Sequence, residues 1–163
     1  MTKETLLVEL QHDGQETEAA LRDLRQEMLT ASGVCGTWSF KDVLAHLSAQ
    51  DDWTAEQLEA LSRGDPPPSA AQRAQWAAEG LMHVQSRNDV LYRASRFRPP
   101  EEVTRAVVRT RRRLIAAVAG LPEARVAERH WFTGSWTVRE AVAKVVEHAR
   151  EHRVQAMAEL VAP

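Results

Sequence analysis

The chain has 163 residues, and its 21 lysines and arginines nearly balance its 23 aspartates and glutamates. This balance gives no electrostatic reason to expect nucleic acid or an anionic membrane as a partner. Cys35 is the single cysteine, which excludes an internal disulfide and fits a reducing compartment. The N-terminus lacks a signal-peptide pattern, and no apolar run approaches the ~20 residues of a membrane span, so we expect a cytoplasmic protein with no membrane partner. The length predicts one domain over residues 1–163.

Apolar residues recur at helical spacing along most of the chain, beginning with Leu6 and Leu10. The predicted helices cover, approximately, residues 3–30, 40–62, 70–95, 100–120 and 138–160. No segment alternates with period two over a useful length, so we expect an all-α structure. Long helices with one long connection predict a four-helix bundle. Pro99 and Pro100 separate the two middle segments, which are either one broken helix or a long element plus an extra one.

Two helix starts in the sequence are similar to each other. At the first, Trp38 precedes Ser39, which suits an N-cap, and Asp42 stands where the glutamate of a capping box would be. Residues 136–140 repeat this order with Trp, Thr and Glu. Either both are simply well-made helix starts, or the chain forms a pseudo-symmetric bundle in which these two helices lie near one another.

Three histidines are candidate metal ligands. His148 and His152 are four residues apart, so a helix places them one above the other on a single face. His152 falls within an apolar seam, so the pair faces the interior. The seam consists of Val138, Val142, Val145, Ala149, Ala156 and Leu160. His46 lies about two turns into the second helix, and it reaches the same pocket if that helix and the last one are neighbours. Zinc and nickel both accept three imidazoles.

The same residues allow a simpler interpretation. A histidine among apolar residues is often a packed, hydrogen-bonded core residue, and two histidines four apart on a helix are common by chance. The pair is also not the zincin motif, because Glu147 and Glu151 precede the histidines, whereas that motif has a glutamate directly after the first one. We expect both glutamates at the surface, paired with arginines. Spacing alone leaves a metal site and a buried polar cluster both open.

Three motifs, in this order and separation, carry a family resemblance. They are Trp38-Ser39-x-Lys41-Asp42-Val43-Leu44-Ala45-His46-Leu47, then Asp51-Asp52-Trp53, and finally His148-x-x-x-His152-Arg153-Val154-Gln155. Together they resemble the DinB-like superfamily, which includes bacillithiol transferases, the mycothiol-dependent maleylpyruvate isomerase domain and DUF1706-type proteins. The resemblance spans nearly the whole chain. It implies an up-down-down-up four-helix bundle that holds a divalent metal on His46, His148 and His152.

The resemblance also implies a function. In the thiol-using relatives the nucleophile is the thiolate of a small cofactor, so we expect a metal-dependent S-transferase of detoxification or stress response, or a hydrolase that uses water. The expected cofactors are a zinc or nickel ion and a low-molecular-weight thiol, and the expected partner is a small-molecule substrate. The alternative is a non-catalytic bundle that sequesters a toxic metabolite, with a structural metal or none. Relatives often form dimers, and a homodimer is compatible with the chain's tryptophans.

The sequence also assigns roles to polar residues outside the three histidines. Gln50 and Asp51, one turn beyond His46, are candidates to orient an imidazole or a bound water. The three arginines at 111–113 are expected on a solvated helix face. Cys35 is expected to be a small packed or exposed thiol, because no histidine is placed beside it by the sequence.

Overall fold

The computed structural model describes residues 1–160, and this part of the chain is helical, as predicted. Apart from an isolated bridge between Cys35 and Trp38, residues 1–160 contain no β-structure. None of the helices in this range is long and apolar enough to cross a membrane. The helices are α1 (Lys3–Arg22), α2 (Gln26–Thr30), α3 (Phe40–Arg63), α4 (Ala70–Ala78), α5 (Val84–Ser95), α6 (Pro100–Gly120), α7 (Glu123–Val126) and α8 (Val138–Leu160).

Four long helices, α1, α3, α6 and α8, form the body of the molecule. Helix α3 packs along α6, α1 packs against α6 and α8, and α3 also contacts α8. Two apolar clusters lie between them, one around Leu10, Leu58 and Leu114, the other around Phe40 and Val107. The two helices that carry the candidate histidines are therefore neighbours. The up-down-down-up order of the four long helices stays a prediction.

Both predicted capping boxes are present, at the starts of α3 and α8. Ser39 Oγ accepts a hydrogen bond from the backbone N–H of Asp42 at 3.2 Å, and Asp42 Oδ2 accepts one from the backbone N–H of Ser39 at 3.0 Å. At α8, Thr137 Oγ1 accepts from the N–H of Glu140 at 3.3 Å, and Glu140 Oε2 accepts from the N–H of Thr137 at 2.7 Å. Because these bonds define where each helix begins, they also set how far along its helix each histidine lies.

The predicted helix over residues 3–30 is wrong in its length. Helix α1 ends at Arg22, and the chain returns to helix only in the short α2. The turn between them brings Leu24 and Leu29 against the apolar cluster around Phe40. A helix that continued straight would keep the axis of α1 and leave this edge of the cluster uncovered, so burial of the two leucines outweighs helical continuity.

The predicted helix over residues 70–95 is also divided. Helix α4 begins after Ser69, whose side chain accepts a hydrogen bond from the backbone N–H of Gln72, as expected for an N-cap. The division falls at Gly80, whose φ of 77° lies in the left-handed region that favours glycine. After it, α5 packs against α3, whereas α4 has no buried residue. The middle of the chain therefore places α5, and not α4, beside the helix that carries His46.

The expected solvated face at residues 111–113 is wrong for Arg111, which is buried. Its guanidinium lies between two buried carboxylates: Nη1 is 3.1 Å from Asp13 Oδ2, and Nε is 2.7 Å from Asp51 Oδ2. Arg153 of α8 extends this row of charges, because its Nη1 is 2.5 Å from Asp13 Oδ1. We call Asp13, Asp51, Arg111 and Arg153 the ion-pair network. Burial of its charges is tolerated because each charge has an opposite partner.

Candidate metal centre

Three histidines from two helices meet at one wall of a cavity. His46 lies about two turns into α3, and His148 and His152 lie one turn apart on α8. The Nε2 atoms of His46 and His148 are 3.0 Å apart, and one ring nitrogen from each histidine lies within 4.8 Å of the other two. The structure brings together the three residues that the spacing and the resemblance singled out. Their donor atoms could hold a metal ion.

Burial keeps these imidazoles neutral at pH 7. Only 6 % of the surface of His46 is exposed. Its pKa falls from 6.5 to about 4, first because of desolvation and then because of the charges of His148, His152 and Arg87. Burial also lowers the pKa of His148 and of His152. A metal binds the unprotonated ring nitrogen, so these low pKa values favour a metal over a proton, and a metal would replace the 3.0 Å hydrogen bond between the Nε2 atoms of His46 and His148.

The donor set fits a divalent transition metal. Three neutral imidazoles are an established ligand set for zinc, and nitrogens that share a tetrahedral ion at about 2.0–2.1 Å lie about 3.3 Å apart. The 3.0 Å separation between the Nε2 atoms of His46 and His148 is close to that value. Trp38 packs on the ring of His46, with 5.8 Å between the ring centroids. Packing therefore holds the buried ligand in place beside its partners.

The two residues expected to support the histidines differ in position. Gln50 lines the cavity, one turn after His46. The expectation for Asp51 is wrong, because its carboxylate bonds Arg111 in the ion-pair network and does not line the cavity. Nδ1 of His46 is buried and has no hydrogen-bond partner within residues 1–160. Contact with Trp38, and not a hydrogen-bonded carboxylate, orients this ring.

The cavity in front of the histidines has a volume of about 850 Å³ and opens to solvent. Trp38 and Trp53 contribute apolar wall, and a volume of this order suits a small metabolite. Arg87 and Asn88, in the first half of α5, also line the cavity. Sequence reasoning missed both, because it placed them within one long helix over residues 70–95. The glycine at the division, Gly80, was the signal that the chain turns there.

The edge of the cavity carries exposed charges. Glu147 and Glu151 are exposed, as expected, but Glu147 pairs with Lys144 at 2.6 Å and not with an arginine. Cys35 is half-buried and lines the same cavity. Three further histidines do not line it: His12, His83 and His130. The candidate centre is therefore limited to the one histidine of α3 and the two of α8.

Comparison with known proteins bears on the whole chain. A family model described as the DinB superfamily matches residues 4–156. The match begins in α1 and ends in α8, so it includes both helices that supply the histidines. Searches of curated proteins and of solved structures found no significant match to the chain. The family match is therefore the basis of the comparison, and its residues 4–156 include all three histidines of the candidate centre.

Proposed function

We propose that this chain, which belongs to the DinB superfamily as its motifs indicated, is a divalent-metal-dependent enzyme that transfers a small thiol to an electrophilic substrate. In this proposal His46, His148 and His152 hold the metal. The observation that supports it most directly is the convergence of three neutral imidazoles on the wall of an open cavity. Zinc and nickel suit such a donor set. The proposal includes the up-down-down-up helix order and the detoxification or stress role that the resemblance implies.

The metal, when bound, lowers the pKa of a thiol or water at its open coordination positions and so supplies a nucleophile at neutral pH. The protein's own residues supply position and surroundings. His46, His148 and His152 would supply three protein ligands, the number typical of a catalytic zinc site, which keeps a position for water or substrate. Trp38 and Trp53 offer apolar surface to the body of a small molecule. In the overall transfer a sulfur–carbon bond forms, the leaving group departs with the electrons of the broken bond, and the thiol proton passes to solvent.

The test is a conjugation assay on protein stripped of metal and then reconstituted in parallel with zinc, nickel, iron(II) or manganese. Several small thiols are offered together with 1-chloro-2,4-dinitrobenzene, which loses chloride on attack by sulfur. We expect multiple turnovers that require one of the metals and that disappear in His148→Ala. The matched control is His12→Ala, because His12 is exposed on α1 and lies outside the cavity.

The competing class makes a different prediction in the same assay. A bundle that sequesters a toxic metabolite binds one electrophile per chain and releases no conjugate. Saturating stoichiometric binding without turnover, for every metal and thiol offered, would therefore replace the enzyme with a binding protein. In that account a structural metal or none is sufficient, and His148→Ala affects binding only through the shape of the cavity.

A further inference from the structure

We infer that the cavity selects a small molecule that carries a carboxylate, and that Arg87 of α5 binds this carboxylate in the cavity that the three histidines also line. This inference rests on the proposed function in that it assigns the substrate class of the same cavity. It identifies Arg87 as a specificity-determining residue.

The state of Arg87 within the protein is unusual. The residue is half-buried on α5 and lines the cavity, yet among residues 1–160 no carboxylate lies within ion-pair distance of it and no side-chain hydrogen bond satisfies it. Other arginines with restricted exposure are paired: Arg111, Arg113, Arg139 and Arg153 each lie within 3.1 Å of a carboxylate oxygen. Partial burial lowers the pKa of Arg87, while its guanidinium nitrogens stay accessible from the cavity.

Two amide side chains that line the same cavity as Arg87 also have unsatisfied oxygens. Oδ1 of Asn88 and Oε1 of Gln50 are buried, and neither has a hydrogen-bond partner within the described range of the chain. Both residues line the cavity, Asn88 from α5 and Gln50 from α3. As placed, these oxygens accept a hydrogen bond from a donor on the ligand, and with the amide turned over its N–H group donates to a carboxylate oxygen. Unsatisfied polar groups on two sides of one cavity indicate a polar ligand rather than a purely apolar one.

The charges that line the cavity favour a single negative charge on this ligand. Lys144 is neutralised by Glu147, and Glu151 adds a negative charge at the edge. Arg87 is thus the one cation of the described lining that has no protein partner. In the metal-free protein a dianion such as phosphate would meet one free guanidinium and the further negative charge of Glu151. A carboxylate matches both the charge and the planar fork of a guanidinium.

Arg87 also lies near enough to the histidines for its charge to act on them. Its positive charge lowers the pKa of His46 and of His148, although these residues belong to two other helices. The three histidines and the arginine therefore face one shared space. A carboxylate bound at Arg87 places the rest of a small molecule in front of the histidines, where the proposed transfer takes place.

The experiment compares two probes of the same shape, 3-phenylpropionate and 3-phenylpropionamide, whose phenyl groups suit the tryptophan-lined wall. Their dissociation constants are measured by calorimetry on the full-length zinc-loaded protein, and again after metal removal and dialysis, because zinc can itself bind a carboxylate. We expect metal-free wild type to prefer the acid over the amide by about tenfold, the range of one charge-assisted hydrogen-bonded pair, and the zinc-loaded protein to prefer the acid at least as strongly.

Variants assign this preference to its residue. In the metal-free state Arg87→Ala should bind acid and amide alike, and Arg87→Lys should retain only part of the preference because an ammonium lacks the bidentate fork. The matched control is Arg93→Ala, which removes an exposed arginine of the same helix that does not line the cavity. Arg93→Ala should keep the full wild-type ratio. Circular dichroism checks that each variant folds.

Three results with the metal-free protein would overturn the inference: equal binding of acid and amide by wild type, a preference that survives in Arg87→Ala, or tighter binding of inorganic phosphate than of 3-phenylpropionate. These results leave the proposed function standing if the reconstituted protein still conjugates a neutral thiol. Conversely, if the protein binds no metal, the enzyme proposal fails, while the acid-to-amide ratio of the metal-free protein still decides the role of Arg87.

Discussion

Two sets of polar residues share helices α3 and α8, and they differ in whether their charged groups are paired within the protein. The first is the ion-pair network, and the second is the histidine cavity, formed by His46, His148, His152 and Arg87. On α3, Gln50 lines the cavity and the next residue, Asp51, belongs to the network. On α8, His152 and Arg153 divide in the same way. Adjacent residues of one helix thus serve two different purposes.

The two regions differ in what their polar atoms contact. In the network Asp13 pairs with two arginines and Arg111 pairs with two aspartates, although the 3.1 Å contact between Arg111 Nη1 and Asp13 Oδ2 is an ion pair without a hydrogen bond. The cavity that Asp51 and Arg111 line has a volume of about 20 Å³, too small for a ligand. In the histidine cavity Nδ1 of His46 has no partner among the described residues, and Arg87 has no carboxylate. A buried polar group costs free energy unless it is paired. Groups paired within the chain stabilise the fold, and groups left unpaired around a cavity indicate a ligand.

The largest effect should come from breaking the network. Arg111→Ala leaves the carboxylates of Asp13 and Asp51 buried with one cation fewer, so it should lower the free energy of unfolding by about 3–5 kcal/mol in urea denaturation. Arg112→Ala removes the neighbouring arginine, whose partner Glu18 is at the surface, and should change stability by less than about 1 kcal/mol. Equal losses of stability in the two variants would mean that the buried ion pairs of Arg111 contribute no more than the exposed ion pair of Arg112.

Adding zinc should stabilise the protein through the histidine cavity. Metal that binds only the folded chain should stabilise wild type by about 2.7 kcal/mol when free zinc is 100 times its dissociation constant. His152→Ala should show a far smaller gain, whereas Arg112→Ala should keep the full one because it leaves the cavity intact. Thermal unfolding with and without zinc measures both. A gain of the same size in His152→Ala would place the zinc elsewhere.

Lowering the pH should reduce the stability of the metal-free protein, because burial in the cavity disfavours the protonated form of His46. The pKa of His46 is about 4 when folded against 6.5 ordinarily, so between these values the unfolded chain binds more protons and stability falls as the pH falls. Burial instead raises the pKa of Asp51 from 3.8 to about 6, against the attraction of Arg111, so Asp51 acts in the opposite direction.

The His46→Gln variant separates these two contributions, because it removes the first and leaves the second. The stability of wild type relative to His46→Gln should fall by on the order of 1–3 kcal/mol between pH 7 and pH 4.5. Urea denaturation with a chelator present gives both curves. A difference that does not change with pH would mean that the His46 ring is not desolvated in solution.

The smallest effect concerns the packing of the network. A Cβ atom at Gly14 would lie 3.2 Å from Cγ of Arg111, so Gly14→Ala forces the arginine to shift by a few tenths of an ångström. The usual gain from replacing a helical glycine by alanine, roughly 0.5–1 kcal/mol, should therefore be absent. Gly120→Ala is the control, because a Cβ at Gly120 meets nothing within 4 Å and should stabilise by up to about 1 kcal/mol. A full gain at Gly14 would indicate a loosely packed network.

Features set by residues close in sequence could be predicted. The capping boxes at Ser39 and Thr137 depend on side chains three residues apart, and they determine where α3 and α8 begin. Counting turns from those starts was enough to place His46, His148 and His152 at compatible positions. The starts of α3 and α8 and the positions of the three histidines along them could therefore be predicted from the sequence.

Features set by distant partners could not be predicted. Arg111 lies between Val107 and Leu114 on the buried face of α6, which indicated burial, but its partners come from α1 and α3. Its charge favoured a surface position until those carboxylates were known. The division of the third predicted helix depends in the same way on α5 packing against α3. Without that contact, nothing in the sequence connected Arg87 with His46.

The most direct test of the central claim is the metal content of untagged wild-type protein beside His152→Ala and His12→Ala. Elemental analysis should give about one zinc or nickel ion per chain in wild type and in His12→Ala, and close to none in His152→Ala, because two imidazoles hold a metal far less tightly than three. Circular dichroism should show equal helicity in all three proteins. No metal in wild type, even after reconstitution, would contradict the account and leave the histidines as buried polar residues of a binding cavity.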